Sequence, residues 1–501
     1  MIIYIIALAI IALVCYSLFI NRIKGLPPGP PPLPLIGNFH QFDIDMDQKF
    51  VEWKKKYGRV FTIWLPYPVV VISDHDLLEK HIVKDGDKFS DRINPKVMMK
   101  LLVGGEYGLL FNENQMWKEQ RRFALHALKD VGFYNVTVQN TAIDYAQQIV
   151  GRWKEQGANK QPVDLTMGIM VGVANIIWHQ TFGRTVPYDD PLLERVKDLA
   201  KELFDALGHP AVLALDLFPS LIHFDKLMGS PIKKFVDVNN FFVEQIETEL
   251  AMLKQDFNED EEPRCFADSF MKEMKRRERK GEDPGTFTHI QLVAACYDLW
   301  TAGFETTVTT LRFMLHYMVN HPEVQLKAQR EIDEHIGKRV SHNFNYFSIQ
   351  MEDQKLLPYC NAIIQEVQRL ANIVTLNFTR MVTADVTIDG YSIPAGTGVI
   401  PEFSIVHMDE SEYERPEYFC PERHINEAGE FVKDPRITPF SLGKRSCLGE
   451  GLARMELFLY FTSFIQHLSF SPISRVPPAL NTQITFTRSP GPYKVLIESR
   501  D

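Results

Sequence analysis

The strongest constraint on the fold is a series of amphipathic segments with helical period through the middle of the chain. Apolar residues recur there every three or four positions, as on one face of a helix. The segments with this pattern are 117–129, 139–156, 190–207, 233–256, 290–320, 322–336 and 358–371. Strand-like runs are fewer, at 60–65 and 68–73, with weaker signals near 385–400 and 483–497. Pro66 and Tyr67 separate the first two runs in the manner of a hairpin turn. The sequence therefore predicts a mainly α fold with small β-sheets, of α+β class.

The 501 residues, 45% of them hydrophobic and 24% charged, have the composition of a globular protein with a sizeable core. A formal net charge of -10 argues against general binding to nucleic acid. Six cysteines without a CxxC motif favour a reducing compartment. The charged stretch 254–284 is interpreted as a solvated connection between helices. No repeat or interior linker is evident, so we predict one domain over 38–501.

The first twenty residues carry no charge and are long enough, at about 1.5 Å per residue, to cross a bilayer as a helix. We predict a transmembrane anchor over 1–20. A cleaved signal peptide is the alternative, but the apolar run is long for one and no basic segment precedes it. Arg22 and Lys24 follow the run, which favours a cytosolic body. Residues 21–37 are rich in proline and are predicted to form a stiff hinge.

Residues 440–449 read FSLGKRSCLG and contain the cysteine best placed for chemistry, Cys447. A thiolate ligand needs positive potential and N–H donors near its sulfur. Gly443 and Gly449 permit a tight turn and the close approach of a flat macrocycle, while Arg445 can reach a carboxylate. A helix predicted from Leu452 onward would turn its positive end to the sulfur. The alternative is that Cys447 is a small buried apolar residue.

The spacing FxxGxRxCxG, from Phe440 to Gly449, resembles the signature of the cytochrome P450 superfamily at every defined position. The resemblance is closest to animal microsomal enzymes of the family-two type and extends over nearly the whole chain. It implies a mainly helical fold with one haem-binding domain and with Cys447 as the ligand of the haem iron.

Three further residues resemble the family's buried triad. Glu366 and Arg369 form an ExxR pair on one helix face, and Arg423 lies in the segment Pro-Glu-Arg-His. The resemblance implies that they stabilise the cysteine loop rather than react. His424 stands where the family usually has phenylalanine, and we interpret it as a surface or packing substitution rather than a second iron ligand.

The string Ala302-Gly-Phe-Glu-Thr-Thr307 resembles the family's oxygen-activation motif. Ala302 and Gly303 would let the helix pass close to haem. Thr306 would give its hydroxyl to a backbone carbonyl and donate to dioxygen, and Glu305 would supply protons through water. Taken alone, such a string could be a mid-helix packing site. Phe304 is bulkier than the residue in many relatives.

Four side chains resemble the family's partners for the haem propionates. Trp117 and Arg121 are four apart on one helical face, and Arg92 and Arg380 match by motif position, although relatives often have histidine in place of Arg380. Basic side chains on the helix that carries Trp117 and beside the cysteine loop would form a face suited to binding an acidic electron-donor flavoprotein. The alternative is that these side chains only face solvent. That face comprises Lys118, Arg121, Arg122, Lys129 and Lys444.

By the same resemblance, a set of mostly apolar side chains lines the substrate pocket: Leu110, Phe111, Trp300, Ala302, Val374, Phe378 and Phe486. The implied function is a microsomal haem-thiolate monooxygenase in the endoplasmic reticulum membrane. It would use haem b, dioxygen and electrons from an NADPH-dependent reductase, with a small cytochrome as a further partner. Its substrates would be lipophilic: fatty acids, steroids or xenobiotics. Two alternatives remain at this stage, a haem-thiolate peroxide isomerase or peroxygenase without a reductase, and a non-catalytic haem sensor.

Overall fold

A computed structural model describes residues 25–500 apart from 35, 43–45, 66, 134, 338–348 and 376, together with 4, 6, 10, 11, 13 and 14. The chain divides into two compact units that interleave in sequence. The first comprises 1–93, 374–417 and 436–447, and the second 94–373, 418–435 and 448–501. One domain over 38–501 stays a prediction.

The first unit contains seven strands: β1 (Val60–Leu65), β2 (Tyr67–Ile72), β3 (Asp91–Arg92), β4 (Arg380–Met381), β5 (Val386–Ile388), β6 (Tyr391–Ile393) and β7 (Gly398–Pro401). Five of them form a sheet of order β1-β2-β7-β4-β3, and β5 pairs separately with β6. The predicted hairpin is confirmed, because β1 and β2 are antiparallel. Tyr67 belongs to β2 rather than to the turn, and Pro66 lies outside the described residues.

Helices of the first unit cover that sheet and lead into the cysteine loop. They are Met46–Tyr57, His75–Leu78, a π-helical turn Glu79–Lys84 and Phe403–His407. Short 3-10 turns occur at Phe39–Gln41, Gly86–Phe89 and Gly443–Arg445. The β-branched strands bury almost every side chain, since Val69, Val70, Val71 and Ile72 are all fully buried.

The described part of the proline-rich segment lies against β1. The Thr62 amide donates to Pro28 O at 3.0 Å and its hydroxyl to Pro27 O at 2.8 Å. Asn38 Nδ2 donates to Pro31 O at 3.2 Å. A Cβ on Gly29 would lie 1.8 Å from Thr62 O, so only glycine permits this approach. Proline lacks an N–H but its carbonyl still accepts, which explains how the segment pairs with a strand edge.

The second unit is helical and contains the seven segments that periodicity predicts. They are Asn114–Asp130, Val136–Ala158, Pro191–Leu207, Pro231–Gln255, His289–Asn320, Pro322–His335 and Pro358–Ala371, with Glu450–His467 after the cysteine loop. Shorter helices occur at Lys96–Val103 and Pro210–Leu213, with 3-10 turns at Pro219–Met228, Met351–Leu356 and Pro421–His424. Two small antiparallel sheets join β8 (Leu468–Ser471) to β11 (Leu496–Ser499) and β9 (Thr482–Ile484) to β10 (Arg488–Pro490).

Two long helices of the second unit were not predicted, and neither were the shorter ones at Lys96–Val103 and Pro210–Leu213. Thr166–Phe182 is apolar on every side and almost entirely buried. Its sequence therefore shows no alternation of polar and apolar residues with a helical period. The interpretation of 254–284 as a solvated connection is wrong, because Phe266–Lys280 is a helix. Its first two turns bury Phe266 and Phe270 in the core, while the remaining turns are charged. An apolar stripe of only two turns is too short to be recognised as a helical pattern in such a highly charged segment.

Among the residues that the structure describes, no helix has the length and apolarity needed to cross a bilayer. The predicted anchor over 1–20 lies outside the described residues except at six positions, which are helical and exposed: Tyr4, Ile6, Ile10, Ile11, Leu13 and Val14.

Candidate active site

The cysteine loop in the first unit is a closed turn. The Cys447 amide donates to Phe440 O at 2.8 Å, and the Ser446 amide to Gly443 O at 3.0 Å. Gly443 has φ +68°, and a Cβ there would lie 2.1 Å from Ile82 O. Glycine is therefore required at 443 by both conformation and space. Cys447 is exposed, whereas the other described cysteines are buried or partly buried.

Three buried arginines surround this loop within the first unit. Arg92 and Arg380 are direct partners in the antiparallel pairing of β3 with β4. Arg380 donates from Nη2 to Leu442 O at 2.7 Å and to Ser441 Oγ at 3.0 Å, so it holds the loop's backbone. Arg445 Nε donates to Ser90 O at 2.6 Å. Each guanidinium belongs to a residue at most 6% exposed, so three positively charged side chains are buried in the unit that carries the loop.

Phe378 is packed against one of these arginines. The Arg92 guanidinium lies 4.9 Å from the centre of the Phe378 ring, and Arg92 Nη1 donates to Phe378 O at 3.3 Å. Phe378 and Val374, both predicted pocket residues, are partly exposed. One of the predicted pocket residues, Phe378, therefore contacts a predicted propionate partner, Arg92.

In the second unit, the long helix His289–Asn320 carries the predicted acid and alcohol. Thr306 Oγ1 donates to Ala302 O at 2.9 Å, which is the local bond that the sequence predicts, and the helix is continuous through this point. Thr309 Oγ1 donates to Glu305 Oε1 at 3.1 Å. Burial raises the pKa of Glu305 to about 7, although Thr309 and the charge of Arg312 act against that rise. Glu305 can thus gain and lose a proton near neutral pH.

The small residues of the motif have different surroundings. Ala302 is exposed in the described protein. A Cβ on Gly303 would lie 2.7 Å from Ile177 Cγ1, so glycine here allows the neighbouring helix Thr166–Phe182 to pack closely. Gly303 is therefore used in helix packing, and the expectation that Ala302 makes room beside a cofactor stays a prediction.

Trp300 is enclosed in an aromatic cluster rather than set at an open surface. Its ring centroid lies 4.9 Å from that of Trp178, 5.2 Å from Phe242 and 5.9 Å from Phe304, and Trp300 is fully buried. Its surroundings are those of a core residue, unlike the partly exposed Leu110, Phe111 and Phe486. Phe304 is likewise buried and packs on Trp300.

Sequence reasoning missed two polar residues of the long helix that hold the segment carrying Leu110. The amides of Leu109 and Leu110 donate to Asp298 Oδ2 at 2.5 and 2.9 Å. Gln291 makes two bonds with the backbone of Gly108, accepting from its amide at 2.9 Å and donating to its carbonyl at 3.1 Å. The sequence shows an acidic residue, Asp298, four positions before Ala302. Only the tertiary structure shows which backbone amides it binds.

Gly108 makes this tether possible. It has φ +100°, and a Cβ there would lie 2.4 Å from Asp298 Oδ2. Burial raises the pKa of Asp298 to about 6, against the two backbone hydrogen bonds, which favour the carboxylate. The carboxylate is therefore ionised at neutral pH and accepts two hydrogen bonds from the predicted pocket wall.

The helix Asn114–Asp130 carries the remaining predicted propionate partners. Trp117 is buried, and the Arg121 guanidinium lies 5.9 Å from the centre of its ring, as the four-residue spacing predicts. Lys118, Arg122 and Lys129 on this helix are exposed. In the first unit, Lys444 is also exposed and is paired with Asp87. The basic side chains of the predicted face are thus available to solvent.

The predicted triad is assembled in the second unit and has an additional member. Glu366 accepts from Arg369 Nη2 at 2.8 Å, from Arg423 Nε at 3.2 Å and from the Cys420 amide at 3.1 Å. His424 Nε2 lies 2.9 Å from Glu366 Oε2, and His424 is only 2% exposed. Of the two interpretations of His424, a surface substitution is therefore wrong and a packing substitution agrees with its burial; in addition, the ring is hydrogen-bonded to Glu366.

Comparison with known proteins identifies the chain. The family model for cytochrome P450 matches residues 27–497. The chain belongs to the cytochrome P450 family. A probable cytochrome P450 CYP36A1 of Caenorhabditis elegans is 39% identical over 498 residues, 98% of each protein. Cytochrome P450 2C41 of Canis lupus familiaris is 35% identical over 457 residues, 90% of the chain and 89% of the relative. Human cytochrome P450 2J2 is 34% identical over 483 residues, 95% of the chain and 91% of the relative.

Membership in the P450 family confirms the predicted class of activity. The protein is a haem-thiolate monooxygenase, an oxidoreductase that acts on lipophilic substrates. It uses haem b, dioxygen and electrons that a partner reductase takes from NADPH. Two of these relatives, cytochromes P450 2C41 and 2J2, carry family-two names, which agrees with the resemblance seen in the sequence.

The residues present fit haem b. An exposed thiol on a closed turn suits a thiolate ligand of the iron, and the buried, positively charged guanidinium groups of Arg92, Arg380 and Arg445 in the same unit suit the negative charge of the propionates.

Proposed function

We propose that Cys447 is the axial ligand of the haem iron and that the long helix delivers protons from Glu305 and Thr306. The observation that carries this proposal is the cysteine loop with its three buried arginines. A thiolate is stabilised by positive potential, which these guanidinium groups provide. When bound, haem b supplies the iron at which dioxygen is activated for insertion into a C–H or C=C bond.

The proton path begins at Glu305. Its pKa of about 7 leaves both protonation states populated at neutral pH, so the carboxyl can take a proton from water and release it again. The Thr306 hydroxyl donates to Ala302 O, so its oxygen is left as an acceptor that can take up a proton from water while its own proton is passed on. In the second unit, Leu110, Phe111 and Phe486 would orient an apolar substrate and exclude water, since all three are partly exposed and apolar.

A spectrum of the reduced, carbon monoxide-treated protein tests the ligand. The wild type should show the long-wavelength band of a thiolate complex, and Cys447→Ala should lose it. Cys420→Ala is the matched control, because that partly buried thiol lies in the second unit at the triad. A thiolate band retained by Cys447→Ala would refute the assignment.

Product analysis tests the proton path. Thr306→Ala should consume NADPH with reductase but divert electrons into hydrogen peroxide, so product per NADPH should fall about tenfold or more. Thr310→Ala, which removes a hydroxyl bonded to Thr306 O one turn further along, is the control. Unchanged coupling in Thr306→Ala would contradict the role of this hydroxyl. Turnover without reductase would favour the peroxygenase alternative.

We also propose that residues 1–20 anchor the protein in the endoplasmic reticulum membrane with the body in the cytosol. The support is the uncharged run and the basic residues Arg22 and Lys24 that follow it. The exposed Lys118, Arg122 and Lys129 would then contact the acidic reductase. Removing residues 1–24 should release the protein from microsomes into the soluble fraction at alkaline pH. A truncated protein that stayed in the membrane pellet would show that another segment binds the bilayer.

A further inference from the structure

Thr309 of the long helix makes a different kind of hydrogen bond from its neighbouring threonines. Inside a helix, a threonine hydroxyl commonly donates to the backbone carbonyl four residues earlier. Three threonines of His289–Asn320 follow this rule: Thr301 donates to Tyr297 O, Thr306 to Ala302 O and Thr310 to Thr306 O. The Thr309 hydroxyl instead donates to the side chain of Glu305, with 3.1 Å between Oγ1 and Oε1. Its proton is therefore used for the carboxyl and not for the helix backbone.

The surroundings of Thr309 make this bond important for the acid. Thr309 is 1% exposed, so bulk water does not compete for its hydroxyl. Glu305 is partly exposed, and within the described part of the chain Thr309 is the one side chain that is hydrogen-bonded to it. A donor bonded to a carboxyl favours the ionised form and is stronger for it than for the neutral acid. The orientation of the Glu305 carboxyl therefore depends on one hydroxyl.

Arg312 lies on the same helix face as Glu305 and Thr309, but its side chain is bonded elsewhere. Spacings of four and three residues place these three positions along one stripe of the helix. Arg312 Nη2 donates to Gly491 O at 3.2 Å, and the Tyr493 hydroxyl donates to Arg312 O at 2.6 Å. The guanidinium is thus directed to the backbone of the chain near its C-terminus. Arg312 favours the Glu305 carboxylate by its charge, whereas Thr309 is the residue that holds the carboxyl in place.

The charged groups that act on Glu305 come from two helices. Arg312, on the long helix, favours the carboxylate, and Asp205, on the helix Pro191–Leu207, opposes it. Asp205 is paired with Lys201, whose Nζ lies 2.6 Å from Asp205 Oδ2, so its negative charge is partly compensated. Burial raises the pKa of Glu305 to about 7, and the Thr309 bond acts against that rise. Removing the bond would therefore raise the pKa further.

We propose that Thr309 is a positioning residue of the reaction, whose hydroxyl holds the Glu305 carboxyl against the next turn of the helix and fixes the orientation in which that carboxyl exchanges protons. The inference rests on the proposed function, in which Glu305 supplies protons, and adds the residue that acts through it. The two threonines of the segment then have separate roles. Thr306 is bonded to the helix backbone at Ala302, whereas Thr309 is bonded to the acid itself.

An infrared titration of the Glu305 carboxyl tests the bond without turnover. The carbonyl stretch of the protonated acid is the band that Glu305→Gln loses, and its intensity against pH gives the titration midpoint. Thr309→Val keeps the shape of the side chain and removes the hydroxyl, so the midpoint should move about one unit to higher pH because the carboxylate loses its donor. Thr309→Ser keeps the hydroxyl and should retain the wild-type midpoint. An unchanged midpoint in Thr309→Val would overturn the proposal.

Coupling measured against pH gives the functional readout. In the wild-type holoenzyme with reductase, product per NADPH should fall as pH rises through the Glu305 midpoint, since an ionised acid has no proton to give. In Thr309→Val this fall should occur about one pH unit higher, while Thr309→Ser should follow the wild-type profile. Thr301→Val is the matched control, because it removes a buried hydroxyl of the same helix that donates to Tyr297 O. Its profile should coincide with that of wild type.

The outcomes separate this inference from the proposed function. Reduced coupling in Glu305→Gln together with a wild-type midpoint and profile in Thr309→Val would reject the role of Thr309 and leave the proposed function intact. An equal shift in Thr301→Val would also reject it, since that would indicate a general change in helix packing. Wild-type coupling in Glu305→Gln would instead contradict the proposed function and, with it, the role given to Thr309.

Discussion

His424 Nε2 lies 2.9 Å from Glu366 Oε2 in the interior of the second unit. The histidine adds a fourth side chain to the expected triad and shares one carboxylate with two arginines. Burial opposes ionisation of Glu366, but the hydrogen bonds and charges of Arg369 and His424 outweigh it and lower the pKa to about 2. The network therefore depends on an ionised Glu366.

That dependence predicts a pH profile. Because the folded pKa lies below the ordinary 4.5, the contribution of Glu366 is complete above pH 4.5 and is lost as pH falls toward 2. The shift corresponds to about 3 kcal/mol of unfolding free energy. Glu366→Gln should lose at least that much at pH 7, since it leaves buried arginines uncompensated. Denaturant titrations of both proteins from pH 7 to 3 should converge; parallel curves would contradict the assignment.

His424→Phe, which restores the residue usual in the family, should destabilise this chain by about 1–3 kcal/mol through loss of a charge-assisted hydrogen bond. The measurement is the midpoint of urea unfolding at pH 7. His335→Phe is the control, since His335 is exposed at a helix end in the same unit. If His424→Phe were as stable as wild type, the ring would be acting only by filling space.

Gly443→Ala should disrupt the cysteine loop. A side chain would face the Ile82 carbonyl and would also strain a backbone with positive φ, costing about 2–4 kcal/mol. Thermal unfolding and haem retention during gel filtration would both report the loss. Gly151→Ala is the control, because its Cβ would meet nothing within 4 Å. Normal haem retention by Gly443→Ala would show that the loop can rearrange.

Asp298→Ala should free the segment that carries Leu109 and Leu110. Two amides lose their acceptor, at a cost of about 1–3 kcal/mol in local stability. Amide hydrogen exchange at these two residues should accelerate, while exchange at the Glu366 network should not. Asp298→Asn retains one acceptor oxygen and should give a smaller effect. Equal exchange in Asp298→Ala and wild type would mean that Gln291 alone holds the segment.

Glu402 should make the first unit less stable at alkaline pH. Burial raises its pKa to about 8, as does the nearby Asp47, against the hydrogen bonds of Ser404 and Asn377. Between pH 4.5 and 8 the folded state therefore retains a proton that the unfolded state loses, and stability falls as pH rises through this window. At pH 9, Glu402→Gln should be more stable than wild type by about 3–5 kcal/mol.

Thermal unfolding across pH 5 to 9 measures this effect. The profile of Glu402→Gln should be flatter than that of wild type, while Glu417→Gln, at an exposed position in the same unit, should leave it unchanged. Identical slopes for Glu402→Gln and wild type would show that the carboxyl is hydrated when ionised.

By itself, the sequence determined the class of the fold, seven helices with nearly their full bounds, the β1–β2 hairpin and the motif residues, because each depends on local periodicity or on a short spacing. Tertiary structure alone decided what surrounds each side chain. It made His424 a partner of Glu366 and Trp300 a core residue, and it brought Asp298 to the Leu109–Leu110 amides. These relationships join residues that are far apart in the chain. Whether a carboxyl is paired, solvated or held neutral depends on how deeply it is buried, and a local sequence pattern carries no information about that burial.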